Sequence, residues 1–145
     1  MSSLRLSNGD DYPDASKKHI EDSEVLFIAA RYDGAGYLAG YAIECILKAI
    51  ILVEKGNSVR HHDLNKISTN LKFILATPSS KTAKYIKNPN ITKMKYGKSV
   101  SEWEETIRYQ SQGRVNNTDA SDWIKEAKRL YQEVIFQMIL DGVIS

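Results

Sequence analysis

Cysteine occurs once in these 145 residues, and proline and histidine three times each. The single Cys45 excludes an intramolecular disulfide framework and any zinc site built from several thiolates, and it fits a reducing compartment. His61 and His62 are adjacent, His19 is remote, and no His-Glu-x-x-His or carboxylate-x-x-His spacing occurs, so no metal is expected. No phosphate loop or dinucleotide fingerprint is present either. Gly34-Ala35-Gly36 opens a helical pattern that follows another helix rather than a strand, and no cofactor is expected. Sustained two-residue alternation, the mark of a half-buried strand, is missing. The longest apolar run, Ala42 to Val53, contains Glu44 and Lys48 and is shorter than the roughly 20 residues that cross a bilayer. Residues 1–13 lack the apolar centre of a secretory signal. A soluble, cytoplasmic chain without membrane contact is the expectation.

What the chain does have is helical periodicity. With 42% hydrophobic and 26% charged residues it has ordinary globular composition. Its length predicts a tail over 1–13 and a single helical domain over 14–145. A first helix is predicted from Asp14 to Tyr32, with Pro13 in its first turn and Ala15, His19, Ser23, Leu26, Phe27 and Ala30 on its inner face. A second runs through Ala35, Leu38, Ala39, Ala42, Ile43, Ile46, Leu47, Ile50 and Val53 to Lys55-Gly56. Gly34, Gly36 and Gly40 weaken its first half by up to about 1 kcal/mol each, so something comes close to that backbone, either a neighbouring helix or a ligand. Asp63 caps a third helix carrying Leu64, Ile67, Leu71, Ile74 and Leu75. Ser101-Glu102-Trp103-Glu104 has capping-box spacing and opens a short fourth helix that Gly113 ends. After Asn117-Thr118-Asp119 comes the most regular run, Ala120, Trp123, Ile124, Ala127, Leu130, Tyr131, Val134, Ile135, Met138 and Ile139. The fold class is all-α, a bundle of four to five helices.

The net charge of +2 is unevenly spread. Six lysines and no acid lie between Lys81 and Lys98, with Tyr85 and Tyr96 among them, which leaves the rest of the chain net acidic. Lysines beside aromatic rings suit phosphates and bases, so Lys84, Lys87, Lys93 and Lys95, with Arg108 and Arg114, are candidates for nucleotide or RNA contact. The plain alternative is a solvated loop, with the two arginines paired to Glu104, Glu105 or Asp119. Glu44 and Lys48 stand one turn apart in the order that suits an exposed helical ion pair. Cys45, inside an apolar helix, reads as a small core residue.

Ala29 to Ala49, with Arg31-Tyr32 at the turn and Glu44, Leu47 and Lys48 at the helix centre, followed by His62-Asp63-Leu64, resembles the HEPN family, named for nucleotide-binding domains of higher eukaryotes and prokaryotes. The similarity covers about Ala15 to Leu71. It implies a HEPN-like bundle, a homodimer, and a role with nucleotide, RNA or a partner protein such as a nucleotidyltransferase in bacterial toxin–antitoxin or defence systems. The apolar surplus at Ile50, Ile51, Leu52 and Val53 also suggests a second copy. Many members are metal-independent RNases with an arginine followed, after four to six residues, by a histidine. Here Arg108, Arg114 and Arg129 have no histidine downstream, and the windows after Arg31 and Arg60 hold none. Arg60 and His62 are too close together for that motif and form at most an unusual site. No catalytic residue is therefore assigned. A non-catalytic binding module is expected, with a divergent RNase or a structural adaptor bundle as alternatives.

Overall fold

The computed structural model describes residues 1–86 and 103–145. These residues form helices and turns and contain no strand. α1 (Tyr12–Ile28) starts where the Asp11 carboxylate accepts the Asp14 N–H at 3.2 Å, with Pro13 in the first turn, where a missing N–H costs nothing. Its buried face is Pro13, Ser16, Ile20 and Ser23, so of the face expected from the sequence only Ser23 is buried. The reason is local: Ser16 Oγ donates to the Pro13 carbonyl and Ser23 Oγ to the Ile20 carbonyl, both at 2.7 Å, so two small polar residues are satisfied and covered. The helix also ends earlier than expected. Ala30 adopts a left-handed φ of +58°, and the N–H groups of Ala30 and Arg31 return to the carbonyls of Phe27 and Leu26. Arg31-Tyr32 thus begins the second helix instead of ending the first.

That second helix, α2 (Tyr32–Lys55), is the axis of the bundle and ends, as its sequence predicts, at Gly56 with φ +72°. α1, α3 (Leu64–Leu75), α4 (Asn117–Tyr131) and a 3₁₀ turn, Glu105–Tyr109, all lie against it. By length and mean hydropathy α2 could cross a bilayer, but 78% of its most apolar window is covered by the rest of the chain. Ile50, Ile51 and Leu52 are buried within one copy, so the apolar surplus is used internally and does not itself call for a second. The glycines are explained by close packing within the chain, of α4 on Gly36 and of the connection that carries Trp103 on Gly40. A Cβ on Gly36 would stand 2.5 Å from Trp123 Cε3, and one on Gly40 would stand 2.0 Å from Trp103 Cε2. Gly40→Ala must therefore displace an indole and should cost about 1–3 kcal/mol, read as a lowered urea midpoint at unchanged slope.

The Asp63 carboxylate accepts the Lys66 N–H at 3.1 Å to cap α3, whose Leu64, Ile67, Leu71 and Ile74 are buried. Beyond it, Glu54 anchors the chain by accepting from Ser80 Oγ and from the backbone and hydroxyl of Thr82. Partial burial alone would raise the Glu54 carboxyl, but these hydrogen bonds outweigh it and hold the group below its ordinary value. The anchor is thus complete above the usual glutamate range and weakens as pH falls through the lowered value. The expected fourth helix is only the 3₁₀ turn, which ends well before Gly113; Ser101 and Glu102 of its capping pattern lie outside the described residues. The Gly113 and Val115 N–H groups instead donate to Asp33 at 2.7 and 2.8 Å, tying this connection to α2.

Asn116 caps α4, which passes through a π-helical turn, Gln132–Phe136, into a last helical turn, α5 (Gln137–Leu140). Ala120, Trp123, Ile124, Ala127, Leu130, Val134, Ile135 and Met138 are buried as the spacing predicts. Ile139 is 41% exposed, because the wider turn rotates the residues that follow it. At the other end of the chain, Ser3 exchanges hydrogen bonds with Ser145, and Ser2 bonds the Asp11 carboxylate. Residues 1–10 are thereby laid across the bundle, and Asn8 and Asp10 reach the site described next.

Candidate functional site

Glu44 and Lys48 do not form the exposed pair their spacing suggests. Glu44 is 1% exposed and Lys48 4%, with Lys48 Nζ 2.7 Å from Glu44 Oε1. The i, i+4 spacing aligns two side chains but says nothing about where solvent lies, and here the surrounding segments leave both nearly inaccessible. The same Glu44 oxygen lies 2.8 Å from His62 Nδ1, and Tyr41 Oη approaches that nitrogen at 3.4 Å. Facing a carboxylate, Nδ1 carries the proton and donates, which leaves His62 Nε2 without a partner among the described residues. Glu44 Oε2 is buried with no hydrogen bond among them either. Removing two charges from water, with one oxygen of the carboxylate left unbonded, is a poor route to stability, so such a cluster marks a functional site more readily than a structural one.

The cluster floors an open cleft of about 330 Å³. One wall is the α2 ridge of Tyr41, Glu44, Cys45 and Lys48, which share a face by their three-and-four spacing. The facing wall is the connection carrying Ser58, Arg60 and His62, and the N-terminal segment adds Asn8, Asp10 and Tyr12. The cleft has two distinct ends. Tyr12 lies by Lys48, whose Nζ is 5.8 Å from its ring centroid, while His62 lies by Tyr41, their rings 5.8 Å apart. Arg60 is exposed, with no partner among the described residues. Burial pushes the Tyr41 phenol up to about 12, aided by Tyr37 and Glu44, and burial likewise raises Tyr12, so both hydroxyls stay neutral donors at physiological pH. Burial and the Glu44 charge also push the Cys45 thiol up to about 12, so it is a packing residue, as its apolar setting implied.

The other sequence candidates do not converge here. Lys84 Nζ is 2.7 Å from Asp141 Oδ2, a hydrogen bond that raises its pKa, and Asp141 also accepts from Tyr85. It sits near the Glu54 end of α2, whereas Arg108 bonds Tyr37 near the start of that helix, seventeen residues or about 25 Å away. Arg108 pairs with that phenol at 3.4 Å rather than with an acid, and its guanidinium lies 4.8 Å over the Tyr109 ring. Arg114 follows Gly113 in the connection held to Asp33, and its charge acts on Asp119. Lys87, Lys93 and Lys95 lie outside the described residues. Arg31 is the exposed residue preceding α2, and the Tyr32 hydroxyl accepts from Asn117, so this pair joins helices. Among the motif residues, the structure brings together Glu44, Lys48, Arg60 and His62. Tyr12, Tyr41, Ser58, Asn8 and Asp10 were missed, and of these only Tyr41, three and seven residues before Glu44 and Lys48, had a readable spacing.

Among the described residues no group of three His, Cys, Asp or Glu side chains is placed to hold a metal. A family model for the HEPN domain matches residues 11–137. Neither a curated protein nor a solved structure matches the chain.

Proposed function

Since the chain belongs to the HEPN family, we propose that it is a non-catalytic binding module whose ligand is a nucleotide held in the cleft over Glu44, Lys48 and His62. The observation that carries this reading is the buried ion pair with an imidazole fixed on it, at the floor of a cleft whose rim holds an arginine with no partner among the described residues. Arg60 suits a phosphate because its planar fork can donate two parallel hydrogen bonds. His62, oriented by Glu44, adds a second donor or acceptor at Nε2. The Asp10 carboxylate would repel phosphate, so phosphate belongs at the Arg60 and His62 side. Hydroxyl and amino groups of sugar and base belong beside Asn8, Asp10 and Ser58, and the Tyr12 ring offers an apolar face.

Calorimetry with nucleoside mono-, di- and triphosphates tests the reading. Saturable binding that weakens about tenfold or more in Arg60→Ala is expected, the loss of one charge-assisted contact. Absence of binding at millimolar concentration of all three would remove it.

A second reading draws on the same cluster. A carboxylate holding an imidazole by Nδ1, with Nε2 open, is also the arrangement of a general base, and so a divergent metal-independent RNase remains the alternative. Turnover of RNA that disappears in His62→Ala would replace the binding reading by this one. Family membership further supports two copies working in the cytoplasm beside a nucleotidyltransferase partner in a toxin–antitoxin or defence setting. Light scattering at micromolar concentration should return twice the 16.4 kDa chain mass, and the single-chain mass would count against that assembly.

A further inference from the structure

A second concavity, of about 440 Å³, is lined by Lys84, Tyr85, Gln132, Glu133, Phe136 and Gln137 and shares no residue with the cleft. The π-helical turn Gln132–Phe136 builds it. Five residues of an α-helix turn through about 500°, which would set Gln132 and Gln137 well apart around the axis. A π turn closes from residue i to i+5 instead, and both side chains reach one wall. Both glutamines are exposed, and neither carboxamide has a hydrogen bond among the described residues. The charges are closed by contrast: Lys84 pairs with Asp141, and Glu133 with Arg129. From Phe136 an apolar stripe runs on through Ile139 and Leu140 at three-and-four spacing, all exposed, Leu140 at 62%. Val143, exposed as well, follows where the N–H groups of Gly142 and Val143 return to the carbonyls of Ile139 and Met138.

These features select an occupant. The lining cation Lys84 is paired, and Arg129 beside Glu133 faces Glu126 as well, so an anion finds no open positive charge among the described residues here. A carboxamide presents a donor and an acceptor side by side, which is the complement of a peptide group. A partner helix satisfies its own backbone and would leave both carboxamides unmatched. The four exposed apolar side chains amount to a few hundred Å² at most, against about 800 Å² per partner in a stable interface. That is too little to hold a second copy of the chain. Nor do the described residues contain a strand whose open edge a second copy could bring. An extended segment has free N–H and C=O groups, and its alternate side chains point one way. We infer that this face is a second binding site, which takes an extended, uncharged peptide segment of another protein. Its peptide groups lie against Gln132 and Gln137, and its bulky apolar side chains against Phe136, Ile139 and Leu140. The site is independent of the nucleotide reading of the cleft.

The test uses four capped heptapeptides, acetyl-Thr-X-Thr-X-Thr-X-Thr-amide with X as Val, Ile, Leu or Phe, in calorimetry on the whole chain. At least one should bind saturably to the parent, and about tenfold or more weakly to the Gln132→Leu/Gln137→Leu and Leu140→Asp variants. All three substituted residues are exposed, so the variants should keep their fold, which far-ultraviolet circular dichroism and the melting midpoint verify. The Gln132→Leu/Gln137→Leu variant separates recognition from plain apolar adhesion, because its surface is more apolar than that of the parent. Undiminished binding to it would overturn the inference. Absence of binding by all four peptides at millimolar concentration would do the same, as would their displacement by adenosine monophosphate, which places them in the cleft. Light scattering should give Leu140→Asp the same mass as the parent. A halved mass would assign this face to a second copy and overturn the inference.

Discussion

Glu44→Ala is expected to destabilise the protein by about 3–5 kcal/mol, a large share of the 5–15 kcal/mol typical of a domain. The cost arises less from the lost attraction than from what remains: Lys48, 4% exposed, would keep an ammonium group in the core with the carboxylate it pairs with gone. Removing both charges should be far milder, because well-packed apolar side chains can replace a buried ion pair at little cost. A Glu44→Met/Lys48→Met variant is therefore expected to regain most of the loss. It should nevertheless bind nucleotide poorly, since nothing would then orient His62. Urea unfolding of the two variants gives the comparison, with Glu21→Ala as the exposed control, whose pair with Lys17 is more than 60% exposed on each side. A single variant costing no more than that control would show that the pair is not buried.

Leu130→Ala should cost about 2–5 kcal/mol, from the transfer energy of the lost methyl groups together with the cavity they leave. Leu130 is 1% exposed and stands at the centre of the α4 stripe, between Ala127 and the π-helical turn that carries Val134 and Ile135. Rigid helices on either side limit collapse into the gap, which places the cost in the upper part of that range. The exposed Lys125→Ala is the reference. A midpoint shift equal to that of Lys125→Ala would place Leu130 on the surface.

The stripe around Leu130 was legible because its large apolar residues recur without interruption, and the Asp63 cap and Gly56 stop were legible because each performs a local backbone task. The inner face of α1 was legible only at Ser23, since Ser16 hides its hydroxyl in a hydrogen bond to its own helix and the face turns through Ile20 instead of His19. The two close approaches at Gly36 and Gly40 could be foreseen, but not that both would be made by tryptophans from distant segments. The cleft was least legible. It joins Asn8 to Tyr12, Tyr41 to Lys48, and Ser58 to His62, segments that only the folded bundle brings together. Lysine density pointed to the 81–98 segment, whereas Lys84 is spoken for by Asp141 and the open cation of the cleft is Arg60. Count of charges is a statement about sequence; availability of a charge is a statement about its neighbours.

The most direct measurement is a nuclear magnetic resonance titration with adenosine monophosphate and triphosphate that follows the imidazole and phenol ring signals. The signals of His62, Tyr12 and Tyr41 should move and saturate with one common dissociation constant, while that of exposed His61, which lies outside the cleft, stays in place. Signals that remain still throughout, or His61 and His62 drifting together without saturation, would contradict a nucleotide site over Glu44 and Lys48.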